Sequence, residues 1–150
     1  MTLKYLKGDL IQYIQDGNLD VIVHGCNCFH TMGGGIAKQI KNKFPEVFVA
    51  DQETPFGDIN KLGLCHYIQI TNPSFIIVNA YTQYHYGTQQ VNVDYYAIRK
   101  CMQSIKINMH GLKIGMPKIG CGLAGGDWNI VSKIIETELT GEDVTIMYLE

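Results

Sequence analysis

Apolar residues come in short unbroken runs along this chain, at Val21–Val23, Phe75–Ala80, Ile114–Met116 and Val144–Leu149. Each run is rich in β-branched residues and bounded by Gly, Asn or Pro, the pattern of strands buried on both faces. Thr2–Leu6 and Leu64–Ile70 read as two further strands nearer an edge. Between the runs the spacing changes to that of a helix. Ile36, Ala37, Ile40 and Phe44 fall on one face, Lys38, Gln39, Lys41 and Asn42 largely on the other, and Pro45 ends the pattern. Ile98, Met102, Ile105 and Met109 make a second stripe; Trp128, Val131, Ile135 and Leu139 make a third, preceded by Asp127 as a helix N-cap. Strands alternating with helices predict a three-layer α/β/α sandwich around a mixed, mostly parallel sheet.

The 150 residues fit one domain spanning 1–150, with no internal repeat, low-complexity tract or linker-like segment. Glycine is clustered rather than scattered, at Gly33–Gly35 and Gly120–Gly126, which points to local use of backbone. A net charge of −2 and a pI near 6.2 argue against nonspecific nucleic-acid binding, and Lys38, Lys41 and Lys43 read as a solvated helix face. Five cysteines, several in apolar patterns, predict free packed thiols and a reducing, intracellular, cytoplasmic setting. The opening MTLKYLKGD lacks the apolar stretch of a signal peptide and no run approaches a membrane span, so a soluble protein without membrane contact is expected.

Two glycine-rich segments occupy equivalent places, each following a buried strand and leading to a helix: HGCNCFHTMGGGIA and GCGLAGGDW. In an open α/β sheet such loops face one crevice, where backbone N–H groups and a helix start hold phosphate. Two loops suggest a diphosphate; alternatively the glycines only make tight turns. Neither segment is a Walker A sequence, and the single arginine, Arg99, lies in a helical pattern, so backbone rather than an Arg clamp would carry recognition. Cys26-x-Cys28-x-His30 has zinc-ligand residue types, but the spacing is tight and no second Cys/His pair completes four ligands, so no metal is expected. A Cys28–His30 nucleophile pair is a further, disfavoured alternative.

Asp9 in KGDL, the VHGCN strand end, the TMGGGIA helix start, PKIGCGLAGGDW and the closing VTIMYL together resemble the macro domain family over nearly the whole chain. The resemblance is to its short stand-alone branch, which holds ADP-ribose 1″-phosphate phosphatases and terminal ADP-ribose-glutamate hydrolases. It implies that Asp9 accepts a hydrogen bond from adenine and that Leu10 lines the adenine pocket, with Leu149 near the adenosine end. Gly34, Gly35 and Ile36, with Lys118, Ile119, Gly120, Cys121, Gly122, Leu123 and Ala124, would surround the diphosphate. Asn27 would bind the distal ribose and hold a water near its anomeric carbon, with His30 or Asp127 activating that water; Asp127 as a plain N-cap and His30 as a loop residue remain alternatives. His85 is a second candidate histidine without an assigned place. The related glutamate hydrolases use a lysine after the fourth core strand and an aspartate directly after GCGL. Here NAYTQYHYG has no lysine and Ala124 follows GCGL, so the GLAGGDW form resembles the phosphatase branch. The activity implied is hydrolysis of ADP-ribose 1″-phosphate by a monomer without cofactor, extending to ADP-ribosylated macromolecules; the rival is an ADP-ribose reader without turnover.

Overall fold

Along the chain run β1 (Lys4–Lys7), α1 (Leu10–Gln15), β2 (Val21–Cys26), α2 (Gly35–Lys43) and α3 (Pro45–Gln52). A 3-10 turn at Ile59–Lys61, β3 (Cys65–Ile70), β4 (Phe75–Tyr81), α4 (Tyr95–Asn108), β5 (Lys113–Met116), α5 (Trp128–Glu138) and β6 (Asp143–Tyr148) follow. This computed structural model describes residues 3–87, 91–122 and 124–149. Among them the strands form one sheet in the order β1-β6-β5-β2-β4-β3, parallel throughout except for β3, which runs against β4. The two segments read as edge strands do hold the edges.

Strand alternation creates the layers. In β2, Val21 and Val23 enter one core with Ile98, Met102 and Ile105 of α4 and Val131 and Ile135 of α5. Ile22 points the other way, to Ile11 and Ile14 of α1, Ile40 of α2 and Val47 of α3. The α/β/α sandwich expected from the sequence is the observed fold. No helix among the described residues is long and apolar enough to cross a membrane.

Three local readings change. Helix α1, six residues long, was not anticipated; Asp9 starts it by accepting the Ile11 and Gln12 N–H groups at 3.0 and 3.2 Å. Pro45 ends α2 but also begins α3, at a helix start where its missing N–H costs nothing. Strand β2 runs three residues past its apolar stretch because its ladder with β4 continues to Cys26↔Tyr81. His24 is tolerated there, fully buried, because its Nε2–H donates to Asn79 Oδ1 at 2.5 Å. Burial drives its pKa down to about 4 despite that bond, leaving the ring neutral.

Glu142, 6 % exposed, ties the start of β6 to the end of α4 through Lys106 (3.1 Å), His110 (2.6 Å) and the Gly111 N–H (2.9 Å). The Gly111 N–H, opposed by burial and helped by His110 and Lys106, holds this carboxyl down to about 2, against 4.5 ordinarily. A depressed folded-state value means that the stabilisation is complete above pH 4.5 and disappears as pH falls towards 2. Glu142→Gln is expected to cost about 1–3 kcal/mol at neutral pH. Urea unfolding should show the gap between variant and wild type closing through that acid window; a gap independent of pH would remove the carboxylate's role.

Candidate functional site

Because β5, β2 and β4 are parallel neighbours, the loops leaving their carboxyl ends emerge side by side. These loops, the end of β2, the first turn of α2 and one residue of α3 line a cleft of about 570 Å³.

The loop after β2 is braced from within. Asn27 Oδ1 accepts the Phe29 N–H at 2.8 Å and its Nδ2 donates to Thr31 Oγ1 at 2.6 Å, while Met32 anchors the loop in the core at 3 % exposure. Gly33 and Gly34 then lead into α2. Gly34 is the N-cap and has no side chain to offer, so no side chain caps the first turn, and Gly34, Gly35, Ile36 and Ala37 all border the cleft. Unclaimed N–H groups and the positive end of the helix dipole make this an anion-binding start.

In the loop after β5 the glycines do different jobs. Gly126 N–H donates to the Gly120 carbonyl at 2.7 Å. A Cβ on Gly126 would lie 2.5 Å from that oxygen and 2.8 Å from Val93 Cγ1. Gly120 has φ +75° and equally little room, 2.6 Å from Val93 Cγ2. Gly122, in contrast, faces open space. Two glycines therefore close the loop and one keeps the cleft clear.

The loop after β4 contributes Gln83, Tyr86 and Gly87. It is fixed to the β2 loop by Phe29, which stacks on His85 at 5.0 Å and 7° and meets Tyr84 edge-on at 4.9 Å; His85 is thus placed as a packing partner. Beyond the β5 loop, Lys118 Nζ lies 5.5 Å from the centre of the Tyr148 ring, and the Tyr148 carbonyl accepts the Gly8 N–H at 2.8 Å. That side of the cleft leads to Asp9.

The family model described as Macro domain matches residues 23–135. The chain belongs to the macro domain family. This macro domain is 28 % identical over 142 residues to an ADP-ribose 1″-phosphate phosphatase of Candida albicans, covering 84 % of this chain and 86 % of that protein. It is 33 % identical over 153 residues to an ADP-ribose glycohydrolase of Bos taurus, covering 96 % and 88 %. The macrodomain of Mycobacterium tuberculosis DarG matches it with a TM-score of 0.75 at 22 % identity over 97 % of each chain, a likeness of fold.

Of the residues expected at the site, Asn27, Gly34, Gly35, Ile36, Lys118, Ile119, Gly120, Gly122 and Ala124 line the cleft. Leu123 lies outside the described residues. Others sit elsewhere, for identifiable reasons. His30 points to Thr54, Nε2 to Oγ1 at 3.2 Å, with its ring edge-on to Phe56, and does not border the cleft. Asp127 caps α5 by accepting the Asn129 N–H at 2.9 Å and is exposed. Asp9 caps α1 through Oδ1, and among the described residues no donor is bonded to its Oδ2. Leu10, the first residue of α1, is buried, Leu149 is 63 % exposed, and Cys121 turns its thiol to the Ile119 carbonyl at 3.3 Å. Burial first, and then Asp127, push that thiol up to about 11. Cys26, Cys28 and His30 engage separate partners, and among the described residues no three His, Cys, Asp or Glu side chains stand together as metal ligands.

Asp51, Thr31 and Tyr86 line the cleft without having been expected there. For Asp51 a signal existed: it falls four residues after Val47, on the buried stripe of α3, where an acid is out of place. The loop geometry gives a sharp contrast. Gly126→Ala should lower stability by about 1–3 kcal/mol. Gly122→Ala should stay within about 0.5 kcal/mol of wild type. Equal melting of the two variants in urea would refute the division of labour between these glycines.

Proposed function

We propose that this macro domain binds ADP-ribose and hydrolyses ADP-ribose 1″-phosphate to ADP-ribose and phosphate. The observation that carries this reading is the pairing, in one cleft, of the uncapped first turn of α2 with the glycine loop kept open at Gly122. Both offer backbone donors to a diphosphate. Arg99 is committed to an ion pair with Glu138 and lies outside the cleft, so phosphate recognition falls to backbone and Lys118. Adenine is assigned to the end reached through Lys118, Tyr148 and Asp9, and the distal ribose to the end marked by Asn27. The phosphatase and glycohydrolase relatives both act on ADP-ribose derivatives by name, which supports a hydrolase. Removal of ADP-ribose from modified macromolecules would use the same chemistry at the same carbon.

A phosphate on an anomeric carbon can leave by C–O cleavage as the ribose gains oxocarbenium character. The departing phosphate is then stabilised by loop N–H groups, and water adds to the ribose. A reader without turnover is the second reading, favoured by the Asn27 amide, whose oxygen and nitrogen are both already bonded within its own loop.

Three outcomes follow for solution work. Calorimetry should give tight ADP-ribose binding and much weaker AMP binding, with Gly122→Val abolishing the former without loss of fold. Asp9→Ala should weaken ADP-ribose by about 1–3 kcal/mol. It should also destabilise the fold by about 1 kcal/mol, which Asp9→Asn, an equally good helix cap, should restore. Unchanged ADP-ribose affinity in Asp9→Ala removes the adenine assignment. Phosphate released from ADP-ribose 1″-phosphate in ¹⁸O-water should carry no label; labelled phosphate means attack at phosphorus, and binding without release identifies a reader.

A further inference from the structure

Asp51 brings a carboxyl group that is only 1 % exposed to the lining of the cleft, together with Gly25, Cys26 and Asn27. Its Oδ1 accepts the Tyr81 hydroxyl at 2.7 Å, and its main-chain carbonyl takes the Thr54 hydroxyl at 2.6 Å, which fixes the residue from both sides. Among the described residues no donor is bonded to Oδ2 and no cation stands within ion-pair distance of the carboxylate. Lys61, itself 4 % exposed, donates to the Cys28 carbonyl at 3.3 Å and lies 4.8 Å from the centre of the Tyr81 ring, one side chain removed.

Burying a polar group without a full set of partners is costly, so an acid whose second oxygen is left without a donor against a cleft is placed to act on what enters it. The other titratable groups around it are held neutral. Burial keeps the His24 ring deprotonated, and burial first and then the Asp51 charge push the Cys26 thiol well up. Burial likewise raises Cys28 and the Tyr81 hydroxyl. Asp51 and Lys61 are the acidic and basic side chains that remain in this corner, and of the two only Asp51 borders the cleft.

We propose that Asp51 is the catalytic base of the site, taking a proton on Oδ2 from the water that attacks the ribose 1″ carbon; this rests on the hydrolase reading above. In the step, the C1″–O bond of the monoprotonated 1″-phosphate breaks with its electron pair passing to oxygen, and hydrogen phosphate departs. The water oxygen bonds to C1″ as its proton moves to Asp51. The resulting carboxylic acid gives that proton to the departing phosphate, leaving ADP-ribose, dihydrogen phosphate and the ionised Asp51. The Asp51 charge also stabilises the positive ribose on the way.

The test uses the intact chain with ADP-ribose 1″-phosphate. Asp51→Asn preserves volume and an acceptor for Tyr81, so ADP-ribose binding should stay within about threefold of wild type while phosphate release falls by about 10²–10⁴. Asp51→Ala leaves room for a small anion. Azide, a nucleophile that need not lose a proton, should restore C1″ cleavage in it and yield the 1″-azide. Release by Asp51→Asn within tenfold of wild type overturns the assignment. Joint loss of binding and release also overturns it, marking a structural residue, as does a folded, ligand-binding Asp51→Ala that azide fails to rescue. Should Asp51→Ala not fold, the rate and affinity of Asp51→Asn decide alone. A wild-type protein that releases no phosphate removes the hydrolase reading and this role with it, whereas an active Asp51→Asn beside an active wild type removes only the role of Asp51.

Discussion

The register of β2 between its two parallel neighbours is the constraint from which the cleft follows. Val21 is paired with Ile76 on one side and Ile114 on the other, so three strands are in step; β2 and β4 end together at Cys26 and Tyr81, and β5 ends earlier, at Met116. A shift of one residue would exchange Val21 and Val23 with Ile22 between the two cores and turn both glycine loops away from each other. The site therefore rests on apolar side chains that no ligand approaches. Their burial on both faces is what makes the register unique.

Much of this was legible because buried parallel strands announce themselves as β-branched runs, and the two helices on the α4/α5 side as regular stripes. Helix α1 was not legible, since six residues hold fewer than two turns and Asp9 reads equally well as a turn former. Pro45 ends one helix and starts the next, and only the packing of Val47 into the core reveals the second. At the site, the glycine segments were readable because clustered glycine between a strand and a helix has few other uses. Side-chain candidates were harder. His30 and Asp127 stand beside those segments in the sequence, but a positive φ of 58° at His30 and the cap of α5 at Asp127 carry their side chains elsewhere. Asp51 is distant in sequence from both loops and reaches the cleft because α3 packs over β4, where Tyr81 waits for it.

Two kinds of polar residue are kept inside this protein. Glu142 and the His24–Asn79 pair have their bonding capacity met by neighbours and serve to lock elements together. Among the described residues Asp51 has one oxygen met and one left over, and Gly34 presents a helix start that no side chain caps. Incomplete bonding at the cleft fits a place where a ligand supplies the missing partners.

The stacking of Phe29 on His85 has a consequence for how a ligand enters. It joins the loop after β2 to the loop after β4 with flat ring contact, and the Tyr84 hydroxyl, donating to the Gly57 carbonyl at 2.7 Å, extends the brace to the segment after α3. One wall of the cleft is thus assembled during folding rather than at the moment of binding. The entropy of ordering that wall is already spent when a ligand arrives, so less of the interaction energy is consumed in shaping the protein. A wall of this kind also discriminates by shape, because a ligand that does not match cannot recruit loop movement to improve its fit.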